Sequence, residues 1–262
     1  MIRVGIGGWT FEPWRDGVFF PPKWPKSREL EYASRRLTSI EINGTYYSGF
    51  KPETFAKWRD ETPDGFVFAV KASRFCTNRK VLADAGESVA RFFAQGIEAL
   101  GPKLGPILWQ FMATKRFDAA DFGPFLDLLP RELSGRALRH AVEVRHESFR
   151  DPAFIEMARA RNVAVAFADS AKYPGIADVT ADFVYARLED AKAEIATGYS
   201  EAELDRWAEI ALGWAAGRVP AGLDYVLPDQ APPARPREVF VFMINGAKER
   251  APAAAQALIA RL

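Results

Sequence analysis

Cysteine and histidine are scarce in this sequence, and this scarcity limits the chemistry that its side chains can carry. The single cysteine, Cys76, excludes an intrachain disulfide and has no evident partner that would activate it as a nucleophile. The two histidines are His140 and His146. So few thiolate and imidazole groups argue against a transition-metal centre, and we expect no bound cofactor.

An excess of charge and a long apolar run are also missing. The 35 Lys and Arg residues are balanced by 34 Asp and Glu residues, so the formal net charge is +1. Nucleic-acid-binding proteins usually have a basic excess, and this balance leaves them possible but not favoured. No window has the roughly 20 apolar residues of a membrane span. The chain begins with strand-like IRVGIGG rather than a signal peptide, so we expect a cytoplasmic protein that has no membrane partner.

Strand-like and helix-like segments alternate along the whole chain. The predicted strands, dense in Val, Ile, Phe and Tyr, cover residues 2–8, 38–43, 66–72, 105–111, 139–146, 163–170, 182–189 and 238–245. Helix signals fall between most of them, such as the capping-box pattern of Ser200 and Glu203. This order predicts a single (β/α)8 TIM-type barrel over residues 1–262. A doubly wound open sheet is the alternative, but the count of strands and the terminal helix favour the barrel.

Polar residues gather toward the ends of these predicted strands. In a TIM barrel, the C-terminal ends of the strands meet at one rim, where ligands bind. Because side chains alternate along a strand, Glu143 and Arg145 share one face, and Phe167 and Asp169 share another such face. If these faces point into the barrel, its mouth collects the following side chains: Glu41, Lys71, Gln110, Glu143, Arg145, Asp169 and Arg187.

Three carboxylates and three cations in this set allow two interpretations. The groups form either a buried ion-pair layer or the binding site of a ligand. For a ligand site, the guanidinium forks of Arg145 and Arg187 and the point charge of Lys71 suit a phosphate or carboxylate group. We therefore expect a small, anionic ligand as the partner of this mouth.

Acid–base chemistry at the mouth would fall to Glu143, Asp169 or His146 as the catalytic residues. A metal site built from Glu41 and these three residues is the alternative, but the nearby cations would repel a divalent ion, so we expect no metal. Substrate contacts are expected from a wider group: Trp9, Glu41, Tyr46, Lys71, Gln110, Arg145, Arg187 and Asn245.

Five short runs carry a resemblance to a known family. They are GIGGWTFEPWRDGVFFP, IEINGTYYS, FAVKASR, GPILWQF and EVRHESF, and they occur in this order. Together they resemble the YecE-like family, also called domain of unknown function 72, over essentially the whole chain. The resemblance implies a TIM-type barrel and no settled activity. By this resemblance, the polar positions of the family correspond to the following residues of this sequence: Gly8, Trp9, Glu41, Tyr46, Lys71, Gln110, Glu143, Arg145, His146, Asp169 and Arg187.

Two loops depart from the family pattern. The eighth strand ends in one asparagine, Asn245, where the family tends to have two, and the seventh reads ARLED where the family often has His and Gly after Arg-Leu. We expect a protein that binds or acts on a small anionic or polyhydroxyl substrate. The alternatives are a metal-dependent barrel enzyme of the isomerase or phosphodiesterase kind and a non-catalytic protein that binds a metabolite or single-stranded nucleic acid.

Overall fold

A computed structural model describes all 262 residues and contains one large parallel sheet. The strands are β1 Ile2–Gly7, β2 Ser39–Ile42, β3 Val67–Lys71, β4 Leu104–Gln110, β5 Glu132–Leu133, β6 Arg136–Ala137, β7 His140–Glu143, β8 Ala164–Val165, β9 Phe167–Asp169, β10 Phe183–Leu188 and β11 Glu238–Met243. Only β5 and β6 lie outside the large sheet, where they form a short antiparallel hairpin.

The large sheet closes into a barrel. Its strands run parallel in the order β8-β7-β4-β3-β2-β1-β11-β10-β9. The outermost two, β8 and β9, are halves of one strand interrupted at Ala166, and they pair with β7 and β10 respectively. The Ala166 N–H still donates to the Val142 carbonyl oxygen, 2.9 Å away. The interrupted strand therefore completes a ring of eight, and the predicted (β/α)8 barrel is confirmed.

Helices cover the outside of the barrel. The α-helices are α1 Glu29–Ser34, α2 Gly44–Tyr47, α3 Pro52–Glu61, α4 Arg74–Thr77, α5 Gly86–Phe93, α6 Ala119–Asp127, α7 Pro152–Ala160, α8 Glu201–Ala215 and α9 Ala251–Ile259. The predicted capping box starts α8, because the Ser200 N–H donates to the Glu203 side chain and the Glu203 N–H donates to Ser200 Oγ. None of the helices has the length and apolar character needed to span a membrane.

Alternation along the strands divides the apolar side chains into two layers. The larger layer packs between strands and helices and includes Val142 and Val144, which face outward. Gly5 allows β1 and β2 to approach closely, since a Cβ there would lie 2.0 Å from the Ser39 carbonyl oxygen. The smaller layer consists of Val67, Ala69, Leu108, Ala141, Ala164, Ala166, Ala181, Phe183, Tyr185, Phe240, Phe242 and Ile244. It alternates in sequence with the outer layer, which identifies it as the filling of the barrel.

Candidate functional site

Arg187, on β10, lies at the centre of a buried polar layer on top of the barrel core. Its side chain is 2% exposed and contacts three carboxylates. Nε and Nη2 each donate to Glu41 at 3.1 Å, while Nη1 donates to Glu143 and, at 3.0 Å, to Glu189. Burial alone would lower the pKa of Arg187, but the three carboxylates raise it above its usual value. This guanidinium therefore remains charged and holds three barrel segments together.

Glu143, at the end of β7, accepts hydrogen bonds from three residues. Besides Arg187, it accepts two hydrogen bonds from Gln110 Nε2, at 2.9 and 3.1 Å, and one from Arg145 Nε at 2.6 Å. Burial opposes ionisation of this carboxyl, yet Arg187 and Arg145 together lower its pKa to about 2. The geometry therefore favours an orienting role for Glu143 over the proton-accepting role that the sequence left open.

Glu41, on β2, completes the layer from below. It accepts a 2.7 Å hydrogen bond from the hydroxyl of Tyr185, which burial and the Glu41 charge keep protonated by raising the Tyr185 pKa. No three His, Cys, Asp or Glu side chains come together as a metal-binding group. The carboxylate oxygens that could face a metal are instead bonded to guanidinium, amide and hydroxyl groups.

A cavity of about 310 Å³ opens above this layer at the C-terminal rim. It is lined by four cations, three amides and no carboxylate. The lining residues are Gly7, Asn43, Tyr47, Lys71, Gln110, Arg145, Arg187, Ile244, Asn245 and Lys248. The carboxylates that pair with Arg187 are thus not among the lining residues, while positive charge and amide groups face the cavity.

Lys71 has no partner for its ammonium group. The residue is 7% exposed, its Nζ makes no hydrogen bond or ion pair, and the Tyr46 ring lies beside it, with the centroid 4.3 Å from Nζ. Burial, followed by the charge of Arg187, lowers the pKa of Lys71 to about 8. Asn78 fixes the Tyr46 hydroxyl through a 3.2 Å hydrogen bond. The cavity therefore contains a positioned amine that can interact with a ligand.

Arg145, in the loop after β7, also has unused donors. Its Nε binds Glu143, and its guanidinium lies 4.4 Å from the Tyr173 ring centroid. Neither terminal nitrogen makes a hydrogen bond, although Nη2 lies 3.9 Å from Glu189. One edge of the guanidinium is thus held by the protein while the terminal nitrogens remain able to bind an anion.

Asp169 does not join this cluster, so the expectation that its face points into the barrel is wrong. Phe167 shares that face and packs against Trp207 and Trp214 of α8, with ring centroids 5.8 Å apart in each pair. Asp169 lies outside the barrel wall, where burial and the neighbouring Asp190 raise its pKa to about 6. The charged groups that act on it are Asp190, Arg206, Glu203 and Lys192, and Glu143 is not among them.

His146 and Trp9 are also absent from the cavity lining. His146 Nδ1 accepts a hydrogen bond from the Ser148 N–H at 3.1 Å and caps the 3₁₀ turn Glu147–Phe149. Trp9 packs edge-on against Trp58, with ring centroids 5.1 Å apart. The structure therefore gives both residues structural contacts, and the remaining predicted ligand contacts lie in or next to the mouth.

The predicted ligand contacts left out four polar residues of the mouth: Asn43, Tyr47, Lys248 and Glu189, of which all but Glu189 line the cavity. Lys248 lies on the 3₁₀ turn Lys248–Arg250 after β11, with its Nζ 4.6 Å from the Phe11 ring centroid, and burial lowers its pKa. Glu189 belongs to the ARLED run and pairs with Arg187. Burial raises the pKa of Glu189 although Arg187 opposes this. The alternation of Tyr185, Arg187 and Glu189 was a signal that could have identified the last of these.

The fold and the polar mouth define a TIM-barrel protein with a candidate ligand site at the C-terminal ends of its strands. The family model described as "Protein of unknown function DUF72" matches residues 3–262, so the chain belongs to the DUF72 family. This confirms the resemblance to the YecE-like family.

Relatives agree with this assignment. UPF0759 protein YecE of Escherichia coli (strain K12) is 30% identical over 158 residues, which cover 57% of this chain and 50% of that protein. The match thus spans half the length of that relative. A DUF72 protein from Thermotoga maritima MSB8 aligns at 24% identity over 99% of this chain and 97% of its own, with a TM-score of 0.72. A second, from Enterococcus faecalis V583, aligns at 18% identity over 100% and 95%, also with a TM-score of 0.72.

Proposed function

We propose that the C-terminal mouth of the barrel binds a small anionic ligand through Lys71, Arg145 and Lys248. The observation that carries this proposal is the separation of charge at the rim. Four cationic side chains and no carboxylate line the cavity, and the three nearby carboxylates are each bonded to Arg187. A phosphate or carboxylate group is the natural counterion for such a lining.

The remaining lining groups fit the uncharged part of such a ligand. Asn43 and Asn245 offer amide donors and acceptors, and Tyr47 offers a hydroxyl on an exposed ring. Amide and hydroxyl groups around a cationic centre suit a ligand that carries hydroxyl groups together with its acid group. The proposed ligand class is therefore a small polyhydroxyl or hydroxy acid, or its phosphate ester.

The anion site can be tested with sulfate and the substitution Arg145→Lys. Arginine holds Glu143 through Nε and still presents its terminal nitrogens to the cavity, whereas lysine has one nitrogen for both tasks. We expect Arg145→Lys to weaken sulfate binding by about 1.5–3 kcal/mol, that is roughly tenfold or more in the dissociation constant, measured by calorimetry.

The matched control is Lys57→Met, which removes a cation from the exposed face of α3, a helix that contributes no residue to the cavity lining. That variant should bind sulfate like the unmodified protein. Equal sulfate affinity in the folded Arg145→Lys variant would show that Arg145 serves only to pair with Glu143, and it would remove one arm of the proposed site.

A second candidate function, binding of single-stranded nucleic acid, is favoured by one observation. A neighbouring cavity of about 520 Å³ contains four cations and no carboxylate among its lining residues: Thr77, Asn78, Arg79, Lys80, Met112, Thr114, Lys115 and Arg116. A phosphodiester chain would follow such a basic surface, and its affinity would fall steeply with salt concentration. Oligonucleotide binding that stays undetectable at low salt, while sulfate binds the mouth, would exclude this candidate.

A further inference from the structure

We propose that Lys71 is a nucleophile that forms an imine with the carbonyl carbon of a small anionic aldehyde or ketone. This inference rests on the proposed anion site and deepens it, because it adds a reaction and narrows the substrate class. The anionic group of the substrate would bind Arg145 and Lys248, and its carbonyl group would face Lys71. An oxo acid or a phosphorylated aldose or ketose has the required pair of groups.

The first argument is that Lys71 lacks the contacts of a structural lysine. The chain contains a second lysine with little exposure, Lys103, and its Nζ donates to the Arg59 and Thr62 carbonyl oxygens at 2.6 Å and to Thr62 Oγ1 at 3.0 Å. The Nζ of Lys71 has no acceptor at all, although this residue is buried to the same degree. The amine of Lys71 is not among the buried unpartnered atoms, so it reaches the open space of the cavity and is available to a ligand.

The second argument is the charge around the amine. Removal from water and the nearby Arg187 disfavour the ammonium form, which is the environment that activates a nucleophilic lysine. Glu41 and Glu143 act in the opposite direction, but both are already bonded to Arg187. A pKa of about 8 leaves an appreciable fraction of uncharged Lys71 at neutral pH.

The third argument is position. Lys71 continues the inward face of Val67 and Ala69 on β3, so its side chain rises from the barrel core into the cavity. The hydroxyl of Thr45 donates to the Lys71 carbonyl oxygen at 2.6 Å, which fixes the backbone beneath the amine. The Tyr46 ring limits the directions that the chain can take. The amine is thus held at the place where a ligand would enter.

The reaction needs no partner beyond the substrate and solvent. The uncharged amine of Lys71 attacks the carbonyl carbon, a C–N bond forms, and the carbonyl oxygen becomes the hydroxyl of a carbinolamine. Two protons, both originally on the amine nitrogen, leave with that oxygen as water, and the C=N bond forms. Protonation of the imine then gives an iminium that withdraws electrons from the neighbouring carbon.

The test is reductive trapping with glyoxylate, a small anionic aldehyde, and sodium cyanoborohydride, followed by peptide mapping. Because a pKa lowered from 10.5 to about 8 enlarges the uncharged fraction at pH 7, we expect Lys71 to be modified about tenfold or more faster than exposed Lys57. Lys57 lies outside the cavity, so Lys57→Met is the matched variant and should still be modified at Lys71. Lys71→Met should lose the fast modification.

Competition by sulfate distinguishes an incorrect imine proposal from an incorrect anion-site proposal. Sulfate at a concentration that saturates the mouth should slow modification of Lys71 and leave that of Lys57 unchanged. If sulfate binds the mouth but Lys71 is modified no faster than Lys57, the imine proposal is wrong and the anion site stands. If sulfate neither binds nor protects and Lys71 shows no preference, both proposals are wrong. The comparison is made within one folded protein, so it does not depend on the stability of a variant.

Discussion

Replacing Arg187 with methionine is expected to lower the free energy of unfolding by about 3–5 kcal/mol, because it leaves buried carboxylates without a partner. Glu41 and Glu143 are fully buried and Glu189 nearly so, and each accepts from Arg187. Urea unfolding followed by circular dichroism measures the change. Arg28→Met is the control, since Arg28 pairs with Glu31 in an exposed, solvent-screened ion pair and its replacement should change the free energy of unfolding far less.

The pH dependence of the unfolding free energy gives a second test of this prediction. In the unmodified protein, the pKa of Glu143 falls from 4.5 to about 2 on folding, so the carboxylate contributes stability above its ordinary pKa and loses it as the pH falls toward 2. Without Arg187 the main cause of that lowered pKa is gone. The gap in unfolding free energy between the two proteins should therefore narrow on acidification. A loss within about 1 kcal/mol at pH 7 would contradict the description of Arg187 as the centre of the layer.

Sulfate affinity is expected to fall as the pH rises through about 8. Sulfate keeps its charge over this range, whereas Lys71 loses its proton near that pH, so the cavity loses one cation. The charged groups that act on Lys71 or share its cavity are Glu41, Glu143, Arg145, Arg187 and Lys248. If the ammonium form alone binds, the dissociation constant rises by up to about tenfold per pH unit above 8.

Calorimetric titrations between pH 6 and 10 measure this dependence. Lys71→Met is the decisive comparison, because it should bind sulfate weakly and show a much smaller change with pH. Lys248 also faces the cavity and accounts for any residual dependence. The same rise in pH should accelerate trapping of Lys71 by glyoxylate, since the uncharged amine is the nucleophile. A pH dependence of sulfate binding that is equal in the two proteins would show that Lys71 is not part of the site.

Much of the barrel, and half of the residues that line its mouth, could be predicted from the alternation of side chains along the strands. On β3, Val67 and Ala69 are apolar and Lys71 occupies the next inward position, so a regular strand carries a polar residue to the rim. The same holds for Glu143 after Ala141. These strands are short and regular, and the polar end of each identifies the face that points inward.

Asp169 shows where alternation is insufficient. The run 163–170 is apolar on both faces, so the sequence does not distinguish the face toward the axis from the face toward the helices. The barrel interior at this height is filled by the large side chains of Phe183, Tyr185 and Phe240, and the neighbouring strand can present only small residues such as Ala166. This packing turns Phe167 and Asp169 outward, and it depends on partners distant in sequence.

The loops were harder to predict for a different reason. Lys248 lies on a 3₁₀ turn beyond β11, where neither helical nor strand periodicity assigns a direction to a side chain. His146 illustrates the converse, because its position next to Arg145 predicted a site residue, whereas its Nδ1 caps the local turn with Ser148. Loop residues acquire their roles from tertiary contacts and local hydrogen bonds, which a single sequence does not encode in its periodicity.

The central claim, that the mouth holds an anion, is tested most directly by the anomalous diffraction of crystals soaked in selenate, a heavier analogue of sulfate. The account predicts a selenium peak inside the cavity, with selenate oxygens within hydrogen-bond distance of Lys71 Nζ and a terminal nitrogen of Arg145. Lys248 should close the third side of the ion. Selenate bound only at exposed surface sites, with the mouth filled by water at saturating concentration, would contradict the claim.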